Sequence, residues 1–307
     1  MSRRVIVREN SAASLPADCL SRARDVFENG DLSNLTCYAQ SSWEFALSWS
    51  ADDESADRLE LFQPSTWVPF LFDRMDHELA ELGQGGLQGM ILAAGDAALI
   101  CVSVTGRLLV TGLSSSDRLR LASARSALQE LAAHIRSSLR LPEHPHPVHS
   151  REAAECPSDG SFGHASADRR DVALVSYLKR AVSTTGLHYV AFLWGPDLVL
   201  AVDLFDDLPE FFVRGSRNSL RHSYESVGVK LHRQAGVPTG GKSSWPADLG
   251  PALDQVTLSL EQGTISYVRV RDDQFIVGAT VGQGDGNRVA DRIAALADEL
   301  KDRFRDD

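Results

Sequence analysis

The chain has 307 residues, 43% of them hydrophobic and 24% charged, which is the composition of a globular protein with enough apolar material for two ordinary cores. Its 42 acidic side chains exceed 31 basic ones, giving a net charge of -11. That charge repels a polyanion and removes the counterion release that drives nucleic-acid binding, so nucleic acid is excluded as a partner class.

From the N-terminus, two arginines precede the apolar run Val5-Ile6-Val7 in the manner of a signal peptide, but the run stops at Arg8, so export by this route is not expected. Periodicity then predicts a helix over 15–28, a hairpin over 35–40 and 43–49, and a helix over 65–82 with Trp67, Leu71, Met75, Leu79 and Leu82 inward and a bend near Pro69. Trp67, Phe70 and Phe72 stand too close together to share one helical face, so one of them reaches a second surface, read here as a contact between halves of the chain. Three strands follow over 87–94, 97–104 and 107–113, broken at Gly95-Asp96 and Thr105-Gly106. The run 97–104 is the longest apolar stretch and is far short of the roughly 20 residues that span a bilayer, so no membrane insertion is expected. A helix capped by Ser116 closes this half, with Leu121, Ala124, Leu128, Leu131, Ile135 and Leu139 at steps of three and four.

Residues 141–168 hold Pro142, Pro145, Pro147, Pro157, Gly160 and Gly163 without apolar period and read as a linker. The same element order then repeats: a helix over 171–184, a hairpin over 187–194 and 198–205, a helix over 208–227 opened by Asp207 and Pro209, three strands over 256–260, 264–270 and 274–281, and a final amphipathic helix carrying Val289, Ile293, Leu296, Leu300 and Phe304. Each half reads helix, two strands, helix, three strands, helix. Such an order predicts an α+β fold of two tandem domains, each a five-stranded antiparallel sheet flanked by helices, over 11–140 and 169–307 with the flexible linker between. The four cysteines, Cys19, Cys37, Cys101 and Cys156, show no CxxC spacing and read as reduced thiols of a cytoplasmic protein.

This order of elements resembles the roadblock (dynein light chain) family, most closely over 258–304. The resemblance implies a non-enzymatic interaction protein with no cofactor, a platform for a small Ras-like GTPase. It also implies pairing of domains edge to edge, met here by internal pairing of the two halves or by a homodimer. GAF-like or profilin-like sensory modules have the same order and stand as the alternative, with a ligand cavity lined from both sheet and helix.

Three clusters carry possible chemistry. Gly236 to Ser243 matches GxxxxGK[ST], in which Gly236, Gly241, Lys242 and Ser243 are the nucleotide-binding candidates; Pro246 follows too soon for the helix that a phosphate site needs, so a Gly/Ser/Lys loop is expected. His144, His146 and His149 are separated by prolines that splay alternate side chains, so no metal is expected. Arg214, Arg217 and Arg221 recur at three and four residues, a basic helical face in an acidic protein and the candidate surface for a protein partner. No GxSxG elbow or other recognisable catalytic context is present.

Overall fold

A computed structural model describes residues 4–11, 13–50, 67–142, 172–183, 186–208, 216–235, 253–282 and 286–303. The chain divides into two compact units, Met1–His77 with Leu87–His146, and Glu78–Gly86 with Pro147–Asp307. Both mix helices with antiparallel strands, an α+β architecture.

The first unit contains β1 (Arg4–Glu9), α1 (Ala17–Asn29), β2 (Asn34–Ala39), β3 (Ser42–Ser50), most of α2 (Trp67–Leu79), β4 (Leu87–Ala94), β5 (Ala97–Thr105), β6 (Leu108–Ser115) and α3 (Arg118–Ser138). Its strands lie in the order β1-β3-β2-β6-β5-β4, all antiparallel. Period-two alternation sorts the two faces of this sheet. Leu35, Cys37, Leu47, Ile100 and Val110 face α1 and α3, where they pack on Ala23, Phe27, Leu128, Leu131 and Ile135.

The strand β1 is absent from the sequence reading. It is an edge strand, half-buried, whose Val5 and Val7 pack against this core while the charged Arg4, Arg8 and Glu9 blunt its flanks. The helix α3 is capped by Asp117, whose side chain accepts from Arg120 N at 3.2 Å, and not by Ser116, whose hydroxyl donates to the Gly95 carbonyl at 2.7 Å. Before α1, the position held by Pro16 offers no capping side chain. Buried Glu44 of β3 fixes the two residues ahead of it, accepting from the amides of Ser14 at 2.5 Å and Leu15 at 3.3 Å.

The second unit contains α4 (Val172–Ala181), β7 (Tyr189–Trp194), β8 (Asp197–Asp203), α5 (Arg217–Ala235), β9 (Gln255–Leu260), β10 (Gly263–Arg271), β11 (Gln274–Val281) and α6 (Gly286–Arg303). Its order is β8-β7-β11-β10-β9. Without β1, the first unit has the same order: second hairpin strand, first hairpin strand, then the three-strand meander in reverse. Val190, Phe192, Val202 and Ile276 pack on α4 and α6 through Leu178, Ile293, Leu296 and Leu300. The alternate residues Tyr189, Tyr267 and Phe275 meet α5 on the other face.

Helix α5 extends beyond the 227 of the sequence reading, reaching Ala235 where a loop is expected. Leu220, Tyr224, Val227 and Leu231 form its buried stripe at steps of four, three and four. Gly228 lies inside it, over β11, where a Cβ would meet Val277 Cγ2 at 3.4 Å, an ordinary contact distance.

A close approach occurs in both units. Gly112 is the fifth residue of β6 and Gly278 the fifth of β11. A Cβ at Gly278 would stand 2.5 Å from Ile293 Cγ1 and 2.8 Å from Leu187 Cδ1; one at Gly112 would stand 2.7 Å from Leu32 Cδ2 and 3.0 Å from Leu128 Cδ1. The closing helix of each unit therefore rests on a bare stretch of its last strand. Gly278→Ala is expected to lower stability by about 1–3 kcal/mol through overpacking. Ile293→Val in the same chain should make the pair of changes less than additive, read as urea midpoints of the two single variants and the double variant.

Nine residues of sequence from the N-terminal half, Glu78–Gly86, belong to the second unit. The 3-10 turn Ala80–Leu82 packs against α5, and Leu79 and Leu82 are buried. Gln84 Nε2 donates to the Tyr224 hydroxyl, which lies 3.4 Å from the Thr280 carbonyl. The carbonyls of Gln84 and Gly86 accept from Gln262 N at 3.0 Å and Glu261 N at 3.1 Å. The segment is thus a clasp across the β9–β10 turn and α5. It is the main departure from a division at the linker alone.

Candidate functional site

The arginine face begins at the first turn of α5. Among the described residues, Arg217 and Arg221 stand one turn apart; Arg214 lies outside them. Both meet acids at and just beyond the end of β8. Arg221 Nε lies 2.7 Å from Asp203 Oδ2 and its Nη2 lies 2.8 Å from Asp203 Oδ1, a bidentate pair. The same Nη2 reaches Asp206 Oδ2 at 2.8 Å, and Nη1 reaches Asn218 Oδ1 at 3.1 Å. Arg217 Nε stands 3.8 Å from Asp206 Oδ1.

The pair is structural before it is anything else. The Asp203 side chain is 1% exposed and also accepts from Phe205 N at 3.0 Å, so its charge is held by groups of the protein alone. The hydrogen bond to Asp203, with further support from Asp206, pushes the Arg221 guanidinium above its ordinary value against the effect of burial. Behind the pair, Tyr189, Phe205 and Tyr224 stack with ring centroids 5.3–6.0 Å apart. Burial pushes the Tyr189 and Tyr224 hydroxyls up. The sequence offers the three arginines as one face for a protein partner; Arg221 bolts α5 to Asp203 at the end of β8, and half-buried Arg217 is the more accessible cation of the two.

Gly236, Gly241, Lys242 and Ser243, with His144, His146, His149 and Cys156, also lie outside the described residues. Among the described residues no group of three His, Cys, Asp or Glu is placed to hold a metal ion. Cys19, Cys37 and Cys101 are buried free thiols, and burial pushes all three up, so they are poor nucleophiles. No helix among the described residues is long and apolar enough to cross a membrane.

A second feature was legible in the sequence only through the crowding of Trp67, Phe70 and Phe72. In the first unit a groove of about 700 Å³ runs between α2 and the sheet. Trp67, Pro69, Phe70, Phe72 and Asp73 of α2 form one wall; Tyr38 and Leu109, with the turn residues Gln40, Ser41, Gly106 and Arg107, form the other. Phe72 is buried with Val68, Leu71 and Met75, whereas Phe70 points away and is 68% exposed. It is the residue of the aromatic trio that reaches a second surface.

No family model matches the sequence, and no curated protein matches it either. Among solved structures the chain is similar to Myxococcus xanthus MglB, at 9% identity and a TM-score of 0.33, over 40% of this chain and 96% of that one. It is also similar to MglB with a tetrameric arrangement, at 12% identity and a TM-score of 0.29, over 42% of this chain and 99% of that one.

Proposed function

We propose that the chain is a non-enzymatic interaction protein of roadblock type, two copies in tandem, that acts in the cytoplasm as scaffold or regulator of a small Ras-like GTPase. The observation that carries the reading is the repeat. Both units place a hairpin and a three-strand meander in one strand order, and both seat the closing helix on a glycine at the fifth residue of the last strand. Repeated packing of this kind supports two copies of one fold, and the roadblock resemblance of the element order supports a protein partner over a substrate.

The test is a pull-down with the full chain from its native lysate, loaded with GDP or with a non-hydrolysable GTP analogue. A GTPase recovered in a nucleotide-dependent way is the expected result; recovery of none under either nucleotide overturns the reading. Arg217 is the residue to alter on the basic face, because its pairing with Asp206 is long and exposed, and such pairs contribute no more than about 1 kcal/mol. Arg217→Glu is expected to slow association at low salt, less so at high salt, with the fold intact. Lys242→Ala is expected to leave both stability and binding unchanged; micromolar magnesium-dependent ATP or GTP binding lost in this variant would favour a P-loop.

The groove on α2 favours a second reading, a sensory ligand-binding module of GAF or profilin type. It is lined from both sheet and helix, and its volume falls in the range of roughly 300–1,000 Å³ typical of small-molecule sites.

A further inference from the structure

We propose that the groove between α2 and the β2–β6 face of the first unit receives a short segment of a partner protein that presents a large apolar side chain between a basic and an acidic residue. Three observations converge on it. First, Phe70 is one of three large apolar side chains left exposed among the described residues, and it stands beside half-buried Trp67 on the wall of a concavity rather than on a flat surface. Exposed aromatic side chains set in a concave wall are the usual energetic centre of a protein interface.

Second, the rim carries both signs of charge. Asp73 and Arg107 are exposed, and neither makes an ion pair among the described residues. Elsewhere Arg221 spends its charge on Asp203, so Arg107 differs in being available to an acid from outside. A carboxylate facing Arg107 and an ammonium or guanidinium facing Asp73 complement the rim, and they orient the segment along it.

Third, the rim holds backbone strain. The β2–β3 hairpin turns through Gln40 at φ 51° and Ser41 at φ 67°, two successive positions of positive φ where Asn-Gly is the usual choice. Both residues line the groove. Side chains kept where glycine would relieve the strain present an amide and a hydroxyl, groups that can bond to the backbone of an extended segment.

The experiment pans a random-peptide display library on the full chain and measures the synthesised consensus peptide by fluorescence anisotropy. Enrichment of Phe, Trp or Leu flanked by one acidic and one basic residue is expected. Phe70→Ala should weaken the consensus peptide at least ten-fold, and exposure of Phe70 keeps this change from disturbing the core. Arg107→Glu should weaken it comparably, and a peptide with its acidic residue changed to Lys should recover binding to that variant. Absence of a consensus, or a consensus indifferent to Phe70→Ala, overturns the proposal. So does a chain that is dimeric as wild type and monomeric as Phe70→Ala, since a second copy would then fill the groove. The probe is a peptide, so the result stands or falls whether or not a GTPase binds the chain.

Discussion

Arg221→Ala should destabilise the second unit by about 3–5 kcal/mol, a large fraction of what holds an ordinary domain together. The magnitude comes from what is left behind. Asp203 keeps the amide of Phe205 but loses both guanidinium bonds, and at 1% exposure its charge has no access to water in compensation. Arg221→Glu should cost more, because a second carboxylate would face the first. The double variant Asp203→Asn with Arg221→Leu should recover more than half of the loss, since no charge is then stranded and the Asn carbonyl can still accept from Phe205 N. Urea midpoints measure the loss, and hydrogen exchange localises it to β7, β8 and α5. Equal midpoints for wild type and Arg221→Ala would mean that the pair is ornamental. This expectation also limits any use of Arg221 as a probe of partner binding, because lost binding would follow from lost fold.

The isolated piece 169–307 should not fold as a stable monomer, although it contains every strand of the second unit. It lacks Glu78–Gly86. Removing that clasp uncovers the surface on which Leu79 and Leu82 are buried, roughly 1.5–3 kcal/mol for each side chain. It also strips the Tyr224 hydroxyl of Gln84 and leaves two amides of the β9–β10 turn without their acceptors. Together these losses are comparable with the whole stability of a domain of this size. Size-exclusion chromatography and thermal melting of the piece beside the full chain decide the matter: aggregation or a broad, non-cooperative melt is expected, and a sharp melt of a monomer would show that the clasp is dispensable.

Some of the fold was legible because the local signals agree with the packing. β4 and β11 begin and end where the sequence places them, since Gly95-Asp96 and Asp272-Asp273 punctuate runs that are mostly apolar. Helix α5 runs past its expected end, set at 227 because Gly228 has the look of a stop. The stripe that decides its extent, Leu220 to Leu231, runs on past that glycine over the sheet. β1 was missed for the opposite reason: an edge strand bears charges for protection and so loses the alternation that would reveal it.

The Asp203–Arg221 pair had a signal that could have been used. An acid ending the apolar run of β8 must find a cation or stay in water, and arginines recur within twenty residues downstream. The groove had one signal, the crowding of Trp67, Phe70 and Phe72 that sends one of them to a second surface; its other walls come from separated stretches that the fold alone brings together.

The clasp has a consequence for synthesis on the ribosome. Gln84 is translated long before its partner Tyr224, which lies 140 residues downstream. At roughly 5–20 residues per second, the two are separated by a wait on the order of ten seconds. During that interval β4, β5 and β6 of the first unit emerge, while Leu79 and Leu82 have nothing of the second unit to cover them. A hydrophobic stretch presented in this way is what trigger-type chaperones capture, so nascent-chain crosslinking should find occupancy rising once Leu82 leaves the exit tunnel and falling only after β11 has followed it.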